Sequence, residues 1–175
     1  MTMKKTIAAV VTLSLFFAAC KNRNAILVGE WHGEHFENPE MDSFFANSKK
    51  YIDTIGNNGN PATNMELYGT TNMDSVRKIL LQQRDSTMLL QMEAIKNTRF
   101  TFMNDSVVVI AFDGKRDSGR WYFGADGHSL EMEETTGQAA GTKTHMNILT
   151  LTADTLKLKF EQDNTYSTVT FLKSK

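Results

Sequence analysis

Along its C-terminal half the chain alternates apolar and polar residues with a period of two, the pattern of strands half buried against a core. Thr155-Leu-Lys-Leu-Lys-Phe160 puts Leu156, Leu158 and Phe160 on one face, and Lys157 and Lys159 on the other. Other strand-like runs cover 99–103, 119–123, 130–133, 145–151 and 166–172, and Val107–Phe112 is a β-branched and apolar run. Turn formers separate them: Asn104-Asp105, Asp113-Gly114, Asp126-Gly127, Ala153-Asp154 and Gln162-Asp163-Asn164. The two Asp-Gly pairs are hairpin signals in particular. An apolar run at residues 25–32 reads as an earlier, first strand, so the chain holds about eight. Such regular short strands predict a mainly β fold, an antiparallel up-and-down meander, and closing it into a barrel removes its exposed edges.

Between the first strand and the rest, residues 40–98 have a different texture and form a helical and loop excursion. Met73, Val76, Ile79, Leu80, Met88, Leu89, Met92 and Ile95 recur at spacings of three and four, which predicts an amphipathic helix. Arg77, Lys78, Arg84, Asp85, Glu93 and Lys96 fall mostly off that stripe. The register slips around residues 82–87, where a break or kink is expected. Residues 41–51 suggest a shorter helix carrying Phe44 and Phe45. Residues 55–64, rich in Gly and Asn, read as a loop and 65–68 as a short strand.

The N-terminus changes the picture. Lys4 and Lys5 precede an uncharged run from Ile7 to Ala19. Its 13 residues are too few to span a bilayer, which takes about 20, but suit a secretion signal over residues 1–19. The run ends Phe17-Ala-Ala-Cys20, which resembles the lipobox of bacterial lipoproteins, with Phe17 where Leu is usual. The resemblance implies cleavage before Cys20 and lipidation of that residue, whose acyl chains would hold the protein to a membrane. Cys20 is the one cysteine in the chain, which excludes disulfides and thiol-based metal sites. Residues 20–25 then form a short tether, and 26–175 a single domain. Without Lys4 and Lys5, the 19 basic residues become 17 against 20 acidic ones, a net charge of −3. With no basic stripe in view, nucleic acid is not an expected partner. The residues after Cys20, Lys21-Asn-Arg-Asn24, lack the acidic run that resembles a surface-export tag in related lipoproteins. An outer-membrane location facing the periplasm is therefore expected over surface display.

Gly29-Glu-Trp31 on the first strand looks like the Gly-x-Trp signature of lipocalins. The ordered set Phe100-Thr-Phe102, Ser118-Gly-Arg-Trp121, residues 151–158 and Val169-Thr-Phe171 is similar to lipocalin-like domains of envelope lipoproteins from Gram-negative anaerobes. The resemblance covers residues 26–34 and 99–173 and departs from a lipocalin in the long excursion after strand one. It implies a lipocalin-like barrel and assigns no activity.

A barrel of eight strands has an interior that side chains just fill or that holds one small ligand. The expected inward set is Trp31, Phe100, Phe102, Trp121, Phe123, Leu130, Met132, Leu156, Leu158, Phe160 and Phe171, with Leu149, Leu151 and Val169 beside them. Two readings stay open. The first, and the function expected, is a barrel that binds a small apolar or amphipathic molecule; the alternative is a filled core, with the domain an envelope interaction or structural module. The segment Glu30–Glu37 is dense in metal-capable groups. His32, Glu34 and His35 could meet a metal only if the chain bent at Gly33, and a solvated strand end is the ordinary reading. No nucleophile elbow or zinc-hydrolase spacing occurs, so neither a catalytic residue nor a cofactor is expected. His128 and His145 read as surface residues.

Overall fold

The structure is a computed structural model and describes residues 23–112, 114–136, 140–162 and 165–175. The signal segment and Cys20 lie outside the described residues. Eight strands follow one another around a closed antiparallel barrel in chain order. They are β1 (Gly29–Glu37), β2 (Arg99–Phe102), β3 (Val107–Phe112), β4 (Lys115–Phe123), β5 (Ser129–Glu134), β6 (Lys143–Leu151), β7 (Thr155–Gln162) and β8 (Thr165–Lys173). Between β1 and β2 come three helices, α1 (Pro39–Thr54), α2 (Pro61–Tyr68) and α3 (Met73–Asn97). By contacts the described chain forms two compact units: the residues up to Phe36 with Ile95–Lys175, and Glu37–Ala94.

In the first unit each strand sends alternate side chains inward. Phe100 and Phe102 of β2 are buried and stand opposite Ile110 and Val108 of β3. Trp121 of β4 is paired with Met132 of β5, and Leu156 and Leu158 of β7 with Phe171 and Val169 of β8. One strand breaks parity. Between Ile148↔Leu158 and Thr150↔Lys157 the β6–β7 register shifts, leaving Leu149 as the extra residue of a bulge. Alternation would send Leu149 inward with Leu151; instead it is 52% exposed, because a bulge turns everything beyond it to the opposite face. Ile148 and Leu151 are the ones that pack on the core.

The chain before β1 also differs from the expected tether and strand. Residues 23–27 are helical, and β1 begins only at Gly29. An apolar run as short as Ala25–Val28 does not distinguish strand from helix by periodicity. Packing decides it: Leu27 is fully buried in the barrel core.

In the helical unit, α1 starts on an Asn38 cap whose side chain accepts from Met41 N, with Pro39 in the first turn. The expected loop and strand over 55–68 are instead a turn followed by α2. Asn60 caps that helix, Pro61 opens it and Gly69 ends it in the left-handed conformation at φ 69°. Those are ordinary start and stop signals. Helix α3 is continuous for 25 residues with no break over 82–87. Its inward stripe is Met73, Arg77, Leu80, Arg84 and Met88, whereas Ile79, Leu89 and Met92 are exposed. The two arginines are therefore on the packed face. Arg77 donates to Ile55 O at 2.8 Å and to Asn57, and Arg84 donates to Phe45 O at 3.2 Å with its guanidinium over the Phe45 ring. Long basic side chains bury their stems this way while the head group stays hydrogen-bonded.

Candidate functional site: the barrel interior and its closed end

Every strand contributes to one buried cluster inside the barrel. Of the expected inward residues, Trp31, Phe100, Phe102, Trp121, Leu130, Met132, Leu156, Leu158 and Phe171 are buried, and Phe123 and Phe160 pack against them half-buried. Leu27, Val108, Met146 and Val169 complete the cluster. Met146 alternates with Asn147, so its signal was present in the period-two pattern; Val108 lies in a continuous apolar run that does not mark the inward face, and Leu27 shared the parity of Trp31 in the expected strand but is buried from a helical turn ahead of β1.

The aromatic side chains form a connected column. Phe171 stacks on Phe100 with centroids 4.8 Å apart, Phe100 meets Phe102 edge-on at 6.0 Å, Phe102 meets Trp121 at 5.7 Å and Trp121 meets Phe123 at 5.9 Å. Offset-stacked and edge-to-face pairs at such distances are the favoured arrangements, worth about 0.5–1.5 kcal/mol each beyond their buried area. Trp121 Nε1 donates to Met103 O at 3.2 Å, so the one polar atom of that ring is satisfied.

Trp31 sits at the end of the barrel where β1 begins. Its ring is fully buried and Nε1 donates to Leu27 O at 2.7 Å. The Lys173 ammonium lies 5.0 Å from the ring centroid and donates to Ile26 O at 2.6 Å. Burial lowers the Lys173 pKa from its ordinary value, as expected where desolvation disfavours the charged form. Arg23 donates to Gly127 O in the β4–β5 turn and lies over Phe123, 5.2 Å from the ring centroid. Residues 23–27 are thus pinned at both ends and close this end of the barrel.

The metal-capable strand shows a different arrangement. Trp31 and Gly33 are buried, His32 is half-buried, and Glu34 and His35 are exposed. Gly33 does not supply a bend that gathers them: it stays in β1, donates from its backbone N to Thr98 O at 3.0 Å, and a Cβ there would lie 2.1 Å from Ile95 O. Among the described residues no three His, Cys, Asp or Glu side chains stand close enough together to hold a metal ion. His128 and His145 are both exposed. His145 Nδ1 lies 2.6 Å from Glu131 Oε1, and that hydrogen bond raises the His145 pKa.

Two surface depressions complete the picture. One, of about 380 Å³, runs over the outer face of β1–β4 between Arg99 and Arg116, floored by Thr101, Val109 and Ala111. The other, of about 330 Å³, lies within the helical unit beside Tyr51, Leu67 and Tyr68. Among the described residues no helix is long and apolar enough to cross a membrane.

Two solved structures resemble the chain. A lipocalin-like protein from Bacteroides uniformis matches with a TM-score of 0.42 at 11% identity, over 85% of this chain and 99% of that one. A DUF4847 family protein from Bacteroides vulgatus matches with a TM-score of 0.43 at 13% identity, over 84% of this chain and 93% of the other. No protein-family model and no curated protein matches the chain. The strand order itself, eight antiparallel strands closed in sequence, is the lipocalin-like up-and-down barrel.

Proposed function

We propose that this chain is a non-enzymatic lipoprotein of the cell envelope, held in the outer membrane by acyl chains on Cys20 and facing the periplasm. Its barrel is a filled scaffold that carries the helical unit as an interaction surface for a protein partner. The packed interior carries this reading. Leu27, Trp31, Phe102, Val108, Leu130, Met146, Leu156, Leu158 and Phe171 are each less than 2% exposed, and the aromatic column runs among them. An eight-stranded barrel is just wide enough to be filled in this manner, which favours the module over a binder of small apolar molecules.

The helical unit supports the second half of the proposal. Phe44, Tyr51, Met65, Leu67, Ile79, Leu89, Leu90 and Met92 are all exposed large apolar side chains, against a small inner set of Phe45, Ile52, Ile55 and Met73. Spread over all three helices of these 58 residues, they offer apolar side chains for a partner to cover, which supports the interaction reading.

Two experiments test the reading. Metabolic labelling with palmitate should mark the full chain and not its Cys20→Ser variant, and an unlabelled wild type would remove the anchor. Trp31 and Trp121 are the only tryptophans and both lie in the interior, so oleate titrated into residues 21–175 should leave their emission unchanged. A saturable one-to-one change would restore the ligand-binding reading.

A further inference from the structure

The closed end of the barrel carries a consequence for how the protein stands in the envelope, and it rests on the lipidation of Cys20 proposed above. We propose that this end, formed by residues 103–106, 124–128 and 152–154 and the C-terminus, is the surface apposed to the lipid headgroups.

The reach of the tether points to this end. Arg23 is held at the β4–β5 turn by its bond to Gly127 O and its place over Phe123. Leu27 is sunk in the core, and Trp31 and Lys173 hold the carbonyls of Leu27 and Ile26. Only Lys21 and Asn22 separate Arg23 from Cys20, and three residue steps span at most about 11 Å. The acyl chains of Cys20 start at the bilayer surface, so the β4–β5 corner of this rim, where Arg23 is held, lies within that distance of it.

In an upright barrel the opposite end is too far away to share that position. Strand β8 has nine residues, which extend for about 30 Å; at a barrel tilt of 35–45° the wall is roughly 20 Å high. Exposed apolar side chains do not decide the matter, because they occur at both ends: Met103, Tyr122 and Leu149 near the closed end, Phe112 and Tyr166 near the other. Nor does charge. Arg23, Lys173 and Lys175 at the closed end are offset by Asp105, Asp126 and Asp154. The short tether is what singles out the closed end, because it holds a corner of that end, and of no other, beside the bilayer. Met103, Tyr122 and Leu149 then lie at the height of the headgroups, where a side chain with an apolar body and a polar tip such as Tyr122 is well placed.

The test uses the complete lipoprotein, reconstituted in phosphatidylcholine–phosphatidylglycerol vesicles that contain a headgroup nitroxide lipid. Lipidation consumes the chain's only thiol, so an introduced cysteine can be labelled alone with a fluorophore. Asn104→Cys and Ala153→Cys report the closed end, and Lys115→Cys and Thr142→Cys the opposite one; all four positions are exposed. Quenching at 104 and 153 should exceed that at 115 and 142 at least threefold. Inserting 20 Gly/Ser residues after Asn22, a tether of about 25 Å, should erase the difference. Equal quenching at both ends of acylated, vesicle-bound protein means that the barrel lies on its side, and it overturns this orientation while leaving the lipoprotein reading intact. Stronger quenching at 115 and 142 overturns it as well. A mature protein without acyl mass on Cys20 overturns both.

Discussion

Replacing Leu27 with alanine tests whether residues 23–27 belong to the barrel or merely precede it. Leu27 is fully buried in the interior cluster, and its carbonyl accepts the Trp31 indole. Truncating a buried leucine to alanine removes the transfer free energy of the deleted atoms and leaves a cavity, in total about 2–5 kcal/mol. The lower part of that range applies here, because a terminal helical turn can settle inward more readily than a central strand. The expected loss is therefore about 3 kcal/mol. With a urea dependence of about 2 kcal/mol/M for a domain of this size, the midpoint should fall by about 1.5 M. The assay is equilibrium unfolding of residues 21–175 followed by tryptophan emission. Both tryptophans are in the barrel, so the signal reports that unit even if the helical unit unfolds separately. Asn24→Ala, at an exposed position of the same turn, is the control and should change the midpoint little. A loss below 1 kcal/mol for Leu27→Ala would show that the turn frays in solution, and it would remove the fixed point from which the membrane orientation is measured.

Three more outcomes follow from the geometry. In the β6 bulge, Leu149→Ala should cost less than about 0.5 kcal/mol while Leu156→Ala, fully buried one strand away, costs about 2–5 kcal/mol; comparable values in urea unfolding would mean that the bulge is misplaced. Gly33→Ala drives a methyl group into Ile95 O, a rigid backbone neighbour, so it should destabilise the barrel by about 1–3 kcal/mol, and a neutral effect on the melting curve would contradict that contact. The Glu131 hydrogen bond raises the folded pKa of His145, so the stability it adds is fully present below the unfolded value near 6.5 and is lost as pH rises through the folded one. In NMR titration Glu131→Gln should bring the His145 pKa down, and its stability deficit against the wild type should shrink with rising pH.

Most of the barrel was legible because the information is local. Period-two alternation or, in β3, a β-branched apolar run marks the strands from β2 to β8, and Asp113-Gly114 and Asp126-Gly127 announce hairpins, so strand number and order follow from short windows. What was hidden depends on tertiary packing. Nothing in the residues around Leu149 marks an extra residue in β6; the bulge exists because the β6–β7 ladder shifts there. Arg77 and Arg84 were set on the outer face of α3 by their charge, yet their stems fill the packed face because Ile55 O and Phe45 O await their guanidinium groups. Helix α2 is a different case. Pro61 after Asn60, with Gly69 at the end, was readable as a cap, an entry and a stop, and the high Gly and Asn content around it outweighed those signals. For the candidate site, the interior set could be listed by parity alone. Whether those side chains leave room for a ligand depends on how Phe171, Phe100, Phe102 and Trp121 stack across the barrel, and no strand taken singly contains that.

The central claim is that side chains occupy the barrel interior. Native mass spectrometry of residues 21–175, purified from cells under gentle conditions, tests it most directly. A filled interior gives the bare polypeptide mass, unchanged when the protein is denatured. A stoichiometric lipid-like adduct that is present in the native spectrum and leaves on denaturation would contradict it and make the barrel a carrier.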